Sequence, residues 1–220
     1  MLERFLAGPQ LSTESLVVNS VSHTIGLSDR NYEFIDKYHP FVIENGGSLP
    51  SNLNNTILEK VDNLLQKSAE ALNITNGVIK GDIVIHKEEP FVIELATRLS
   101  GGYFCSHEIP ENTGVDFLKQ AIKLSMGETI KEIDLKVKQN IPVAQRYWFP
   151  RNGRVKEILG LDNYKNHKDI ILLEIRAKIG DEIEEINSHP GRAGVVITKG
   201  KSINDAILLA EEVIENIKIL

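Results

Sequence analysis

The residues best placed to do chemistry lie in one stretch, GDIVIHKEEPFVIELATRLSGG, from Gly81 to Gly102. Ile79, Ile83, Ile85, Phe91, Ile93 and Leu95 share one parity and are all apolar, while Lys80, Asp82, Glu94 and Arg98 share the other. Side chains alternate across a strand, so this pattern predicts a β-hairpin with one face inward and one charged face outward. Keeping both parities through a turn at Lys87–Pro90 requires pairs whose numbers sum to an even value. The simplest such register sets Asp82 opposite Glu94 and Lys80 opposite Ala96. Like charges directly opposite one another destabilise a sheet, so the pair implies a bound cation, a raised pKa or a different register. Mg²⁺ is commonly held by one or two carboxylates together with substrate phosphates, which makes Asp82 and Glu94 candidate metal ligands. Arg98, one step along the same face, could grip a phosphoryl or carboxylate oxygen as a bidentate fork. The plainer alternative is an amphipathic hairpin whose charges are simply in water.

The surrounding elements read as an α+β chain. Leu16–Leu27 is rich in Val and Ile and predicts a strand pair, with turn residues near Asp29 and Asn31. Asn54 or Asn55 caps a helix to about Leu72, its stripe formed by Ile57, Val61, Leu64, Leu65, Ser68 and Leu72. Gly101–Thr113 reads as a loop. A second helix, Val115–Met126, is expected to bury Val115, Leu118, Ala121, Ile122 and Met126 and to stop at Gly127. Ile141–Phe149 reads as a strand turned back at Asn152-Gly153 onto Val155–Leu159, and Ile170–Ala177 and Gly194–Thr198 as further strands. The last helix begins at a Ser202 cap with Asp205 three residues on, the pattern of a capping box, and is expected to bury Ala206, Ile207, Ala210, Val213, Ile214 and Ile217. Strand runs joined mostly by turns predict a largely antiparallel sheet with packed helices. Neither a dinucleotide fingerprint nor a P-loop is present.

Composition narrows the function. The chain has 220 residues, 41% hydrophobic and 25% charged, with a formal net charge of −6. That is enough for one substantial core, and the acidic balance without a basic stripe argues against nucleic-acid or membrane partners. One cysteine, Cys105, rules out an intramolecular disulfide, and a cytoplasmic setting is the default expectation. No apolar run reaches spanning length, and the opening MLERFLAGPQ lacks the features of a secretory signal.

The order VIELATRLSGG, then HEIP, then TGVDFLKQAIKLSMGE resembles the core of the ATP-grasp superfamily, as in biotin carboxylase, the carbamoyl-phosphate synthetase large subunit and the amino-acid ligases. ERFLAGPQLSTES resembles the segment leaving the family's nucleotide hinge, and RAGVVITKGKSINDAILLAEEVIENI its closing strand and helix. The resemblance thus runs over residues 1–220 and implies a C-terminal lobe, without the family's N-terminal domain and ATP lid. It implies that Asp82 and Glu94 hold Mg²⁺ on the phosphates of ATP and that Arg98 stabilises charge on the transferring phosphoryl. It implies that Ser100, Gly101 and Gly102 form the loop against which the acyl-accepting substrate lies. Glu3 matches an acidic position beside adenine, and Gln10 one that contacts the ribose. The implied function is an ADP-forming ligase that activates a carboxylate, or bicarbonate as in carbamoyl-phosphate synthetase, as an acyl-phosphate for attack by an amine. The lobe is expected to be a fragment or split subunit, inactive alone, completed by its missing half or a homo-oligomer. Ala96 departs from the pattern, since many members carry Asn there. A non-catalytic binding or assembly module with the same fold is the competing expectation.

The remaining candidates carry plainer expectations. Cys105 reads as a packed thiol without a base beside it, and His107 as a structural hydrogen-bonding histidine. His23, His86 and His167 lack metal-ligand spacing. Arg146 and Trp148 read as packing or stacking residues, Arg192 as a turn residue, and DEIEEI as a solvated face.

Overall fold

The computed structural model describes residues Glu3–Leu220; Met1 and Leu2, at the start of the expected lobe, lie outside the described residues. These divide into two compact units, one of residues up to 29 with 49–140, the other of residues 30–48 with 141–220. The architecture is α+β with antiparallel strand pairing.

In the first unit, β1 (Gln10–Val18), β2 (Val21–Arg30), β4 (Gly77–His86) and β5 (Glu89–Ala96) lie in the order β5-β4-β1-β2. β1 begins six residues before the expected strand: Gln10–Ser15, polar apart from Leu11, does not read as strand. Thr13, Glu14 and Ser15 are nonetheless fully buried. The β1–β2 turn is Asn19-Ser20, both at positive φ (50° and 69°), as a two-residue hairpin matching the strand twist requires. Helix α1 (Asn55–Ala71) covers one sheet face. Asn54 caps it, accepting from the Ile57 N–H at 3.0 Å. Ile57, Val61 and Leu65 pack on Leu11, Ile83 and Ile85, and Ala69 joins Val17 and Ile79. Leu72, expected in this stripe, is exposed; it follows the last helical residue, and Ala69 takes the buried position.

The opposite face is half core and half polar. Leu16 packs with Phe104, Cys105, Ile109, Phe117 and Ala121. Those residues come from a π-helix at Phe104–Glu108, then α2 (Ile109–Thr113) and α3 (Phe117–Ser125), where a loop followed by one helix was expected. α3 starts at an Asp116 cap, whose side chain accepts from the Lys119 N–H. Its buried stripe is Phe117, Gln120 and Ala121, so Ile122 and Met126 face outward, contrary to the sequence expectation.

The β4–β5 register is the one alternation predicts at its open end: Asp82 pairs with Glu94 and Lys80 with Ala96. Nearer the turn it differs. The turn residues are Lys87 and Glu88 (φ 52° and 64°), and a bulge leaves Ile93 without a partner between Asp82/Glu94 and Ile83/Val92. One extra residue swaps the faces beyond it. Phe91 and Ile93, expected inward, are 42% and 49% exposed.

In the second unit, β3 (Gly47–Leu49), β6 (Val143–Tyr147), β11 (Gly194–Lys199) and β9 (Ile170–Ile175) lie in the order β3-β6-β11-β9. After a one-turn α4 (Glu132–Leu135) in the first unit, the last helix, α5 (Ile203–Asn216), has the expected capping box between Ser202 and Asp205. Ala210, Val213 and Ile217 pack with Trp148, Val155 and Val196. Asn152-Gly153 does not fold the β6 strand back onto Val155–Leu159. β7 (Gly153–Arg154) pairs instead with β10 (Glu182–Ile183), and β8 (Ile158–Leu159) with β12 (Lys218–Ile219). No helix among the described residues is long and apolar enough to cross a membrane.

Candidate metal and phosphoryl site

The polar half of that face, in the first unit, forms two cross-strand rows. Ser12, Asp82 and Glu94 are register partners across β1, β4 and β5, and Glu14, Lys80 and Ala96 form the next row. Register partners in an antiparallel sheet project to the same side, so Asp82 and Glu94 share a face. Asp82 is largely buried and Glu94 exposed. Gln10, at the head of β1, has the parity of Ser12 and Glu14 and is half-buried.

The Lys80 ammonium is ion-paired with Asp82, both side chains being largely buried (12% and 14% exposed). The face therefore already holds one cation against its acids. Two hard carboxylate oxygen donors on one surface suit Mg²⁺, which takes few protein ligands and completes its shell with phosphate and water. Among the described residues no group of three or more His, Cys, Asp or Glu is placed to hold a metal ion.

Glu14 is the residue that sequence reasoning missed. It is fully buried, and its carboxyl oxygens accept the Ser100 N–H at 3.1 and 3.2 Å. Burial lifts its pKa to about 7, against the opposing pull of the Ser100 hydrogen bonds and of Lys80 and Arg98. The signal available was its parity with Gln10 and Ser12, hidden because STES does not read as strand.

β5 ends at Ala96, so Arg98 lies in the following bend rather than on the strand. It is exposed, and its Nη1 donates to the Leu99 carbonyl at 3.2 Å. Ser100 is held from two sides: Glu14 takes its N–H, and the Cys105 thiol lies 3.4 Å from its carbonyl oxygen. Beside Gly101 the space is open, with no atom within 4 Å of where a Cβ would stand. Gly102 and Tyr103 both take positive φ (65° and 71°) and swing the chain into the π-helix. Cys105 is a packed thiol, pushed up to about 11 by burial and then by Glu14. The His107 Nδ1 lies 2.9 Å from the Ser106 hydroxyl, and its ring meets Tyr103 edge-on at 5.2 Å. Glu3 is exposed and precedes β1.

The second unit carries its own charged cluster. Arg30 grips Glu44 through Nε and Nη2 at 3.1 and 2.5 Å. The Glu44 N–H donates to His189 Nε2 at 3.2 Å. Arg192 donates to the Glu44 carbonyl at 3.0 Å and stacks 3.5 Å above the Tyr147 ring. Arg192 does close the His189–Gly191 turn, as expected, but it also binds this cluster. Arg146 is buried and donates to the Gln145 carbonyl, and the Trp148 indole donates to the Ile217 carbonyl; both are packing residues.

This arrangement of strands and helices is shared with solved ligase and carboxylase structures. Residues 146–220 match the family described as "L-amino acid ligase C-terminal domain 2". Among solved structures, L-amino acid ligase from Bacillus licheniformis superposes with a TM-score of 0.84 at 19% identity, covering 98% of this chain and 55% of that one. The biotin carboxylase domain of the Hydrogenobacter thermophilus 2-oxoglutarate carboxylase, solved with MgADP and bicarbonate, gives a TM-score of 0.71 at 16% identity, over 99% of this chain and 47% of that one. The tyramine–L-glutamate ligase of Methanocaldococcus jannaschii is 29% identical over 100 residues, which is 46% of this chain and 29% of that protein. The chain thus spans about half the length of these solved structures, and its match to the curated ligase covers under a third of that protein.

Proposed function

We propose that this chain supplies the Mg²⁺-binding and phosphoryl-stabilising side of an ATP-dependent carboxylate–amine ligase. The observation that carries the reading is the pairing of Asp82 with Glu94 on one face beside an open glycine loop. The likeness to amino-acid ligases and to an MgADP-bound carboxylase supports it. Asp82 and Glu94 are the groups that would hold Mg²⁺, which when bound neutralises phosphate charge and draws the phosphates into line.

In this reading a substrate carboxylate lies in the open space at Ser100–Gly102. Its oxygen attacks the γ-phosphorus of ATP, forming an acyl-phosphate and releasing ADP. Arg98 donates to the phosphoryl oxygens as charge builds on them. An amine then attacks the acyl carbon, phosphate leaves, and the amine proton is lost to give the amide. Gln10 and Glu3 belong to the nucleotide side.

Mg²⁺-dependent ADP release by the purified intact protein, over a panel of amino acids, other carboxylates, bicarbonate and amines, tests the proposal. Asp82→Asn and Glu94→Gln are each expected to abolish turnover; turnover unchanged in either removes the metal assignment. A second reading, a non-catalytic module with this fold, is favoured by the Lys80–Asp82 pair, which already neutralises one of the acids. It predicts no ADP release with any pair of substrates.

A further inference from the structure

Lys80 sits between two carboxyl groups. Along β4 it is ion-paired with Asp82; across the β1–β4 ladder it is the register partner of Glu14; on its other side stands Ala96, whose methyl offers it nothing polar. Glu14 is fully buried, and beyond Lys80 its neighbours are the Ser100 N–H, Arg98 and the Cys105 thiol. The ammonium therefore has one present partner and one alternative a single row away, and both lie on the same face. Its long, flexible stem can reach either.

A divalent ion and an ammonium compete for the same carboxylate, because each is drawn to its oxygens and each repels the other. Asp82 and Glu94 are register partners, and a like-charge pair so placed is one that a sheet disfavours unless a cation stands by it. We infer that Lys80 is a resident counter-ion, which occupies Asp82 until a divalent ion binds there and then passes to Glu14. This rests on the metal reading proposed above and adds to it a role for two residues outside the ligand pair. On this inference the protein keeps the acidic face folded without metal, and Glu14 is a positioning residue that takes up the displaced charge.

The test uses Mn²⁺ as the probe, titrated into the intact, nucleotide-free protein, with free ion read from its paramagnetic resonance signal. Lys80→Met removes the competitor and is expected to tighten Mn²⁺ binding about tenfold. Glu14→Gln removes the alternative partner, keeps Lys80 on Asp82, and is expected to weaken binding several-fold. In the Lys80→Met background, Glu14→Gln should have no effect, since there is no ammonium left to transfer. That non-additivity separates a transfer from two independent charge effects. Lys80→Gln repeats the measurement if Lys80→Met fails to give the native circular-dichroism spectrum. Mn²⁺ affinity unchanged or weakened on loss of Lys80 overturns the inference, as does an equal effect of Glu14→Gln in both backgrounds; both leave the metal reading standing. No Mn²⁺ binding by the parent or any variant overturns the metal reading itself, and this inference with it.

Discussion

Neutralising Glu14 should change how stability depends on pH, and the structure sets both sign and size. The carboxyl is fully buried and lifted from 4.5 to about 7, chiefly by desolvation. A raised acid binds its proton more tightly in the folded state than in the unfolded one. Its stabilising contribution is therefore complete below pH 4.5 and lost as pH climbs through 7. The loss is about 3 kcal/mol, a large part of a marginal total. Gln mimics the neutral acid and can still accept the Ser100 N–H through its carbonyl oxygen. Glu14→Gln should thus match the parent near pH 4 and exceed it by about 3 kcal/mol at pH 8. The only tryptophan, Trp148, lies in the second unit and Glu14 in the first. Guanidinium unfolding followed by amide exchange in β1 and β4 reads the correct unit. A carbon-13 titration of the Glu14 carboxyl, assigned by its absence in the variant, supplies the pKa directly. Parallel stability profiles for parent and variant, or a carboxyl titrating near 4.5, would refute the reasoning.

Three further outcomes follow from particular contacts. Cys105, with its thiol pushed up to about 11, should react with a disulfide reagent at pH 8 about a hundredfold more slowly in the native protein than after denaturation; equal rates would contradict its burial. Arg192→Ala removes the stack on Tyr147 and the bond to the Glu44 carbonyl, and should cost the second unit about 2 kcal/mol, read by Trp148 fluorescence melts. Gly26→Val places a Cβ 2.3 Å from Ile109 Cδ1 and 2.9 Å from Phe104 Cζ, so thermal unfolding should fall by about 1–3 kcal/mol through overpacking; an unchanged melting temperature would mean that this helical layer yields freely.

How much of this was legible depended on whether local chemistry or tertiary contact decided a residue's place. The caps of α1 and α5 were readable because capping is local: Asn54 and Ser202 satisfy N–H groups three residues away. The Asp82–Glu94 register was readable because alternation survives at that end of the hairpin. The bulge at Ile93 was not, since nothing in EEPFVIELA marks the extra residue, and it reversed the faces of Phe91 and Ile93. Ile122 and Met126 fit a helical stripe on paper, but α3 turns Phe117, Gln120 and Ala121 inward, and the choice between stripes is made by the layer it packs on. Asn152-Gly153 is a strong local turn signal whose flanking strands found other partners. Lys80 was legible in place, opposite Ala96, but its Glu14 neighbour was not: a polar run such as STES shows no sign that it will be buried.

Burial and charge meet on one parity of the same strands, and position along the strand decides which prevails. On β1 the sequence of that face is Gln10, Ser12, Glu14, Leu16, and on β4 it is Val78, Lys80, Asp82. Leu16 and Val78 lie under the helical layer with Phe104 and Cys105, while Ser12 and Asp82 lie in the polar rows. Glu14 and Lys80 form the row where core gives way to site. A carboxyl there is desolvated by the core on one side and faces cations on the other, which is why it is raised yet still hydrogen-bonded to Ser100. The same position ties the glycine loop to the sheet through the Ser100 N–H, one residue before Gly101. A strand that ran apolar throughout this face would pack better and hold no ion; one that ran polar throughout would leave the 104–125 helices nothing to cover. The crossover confines the acidic pair to one end of a sheet whose other end is locked in the core. Locking of that kind is what a site needs if two carboxylates are to stay within reach of one ion.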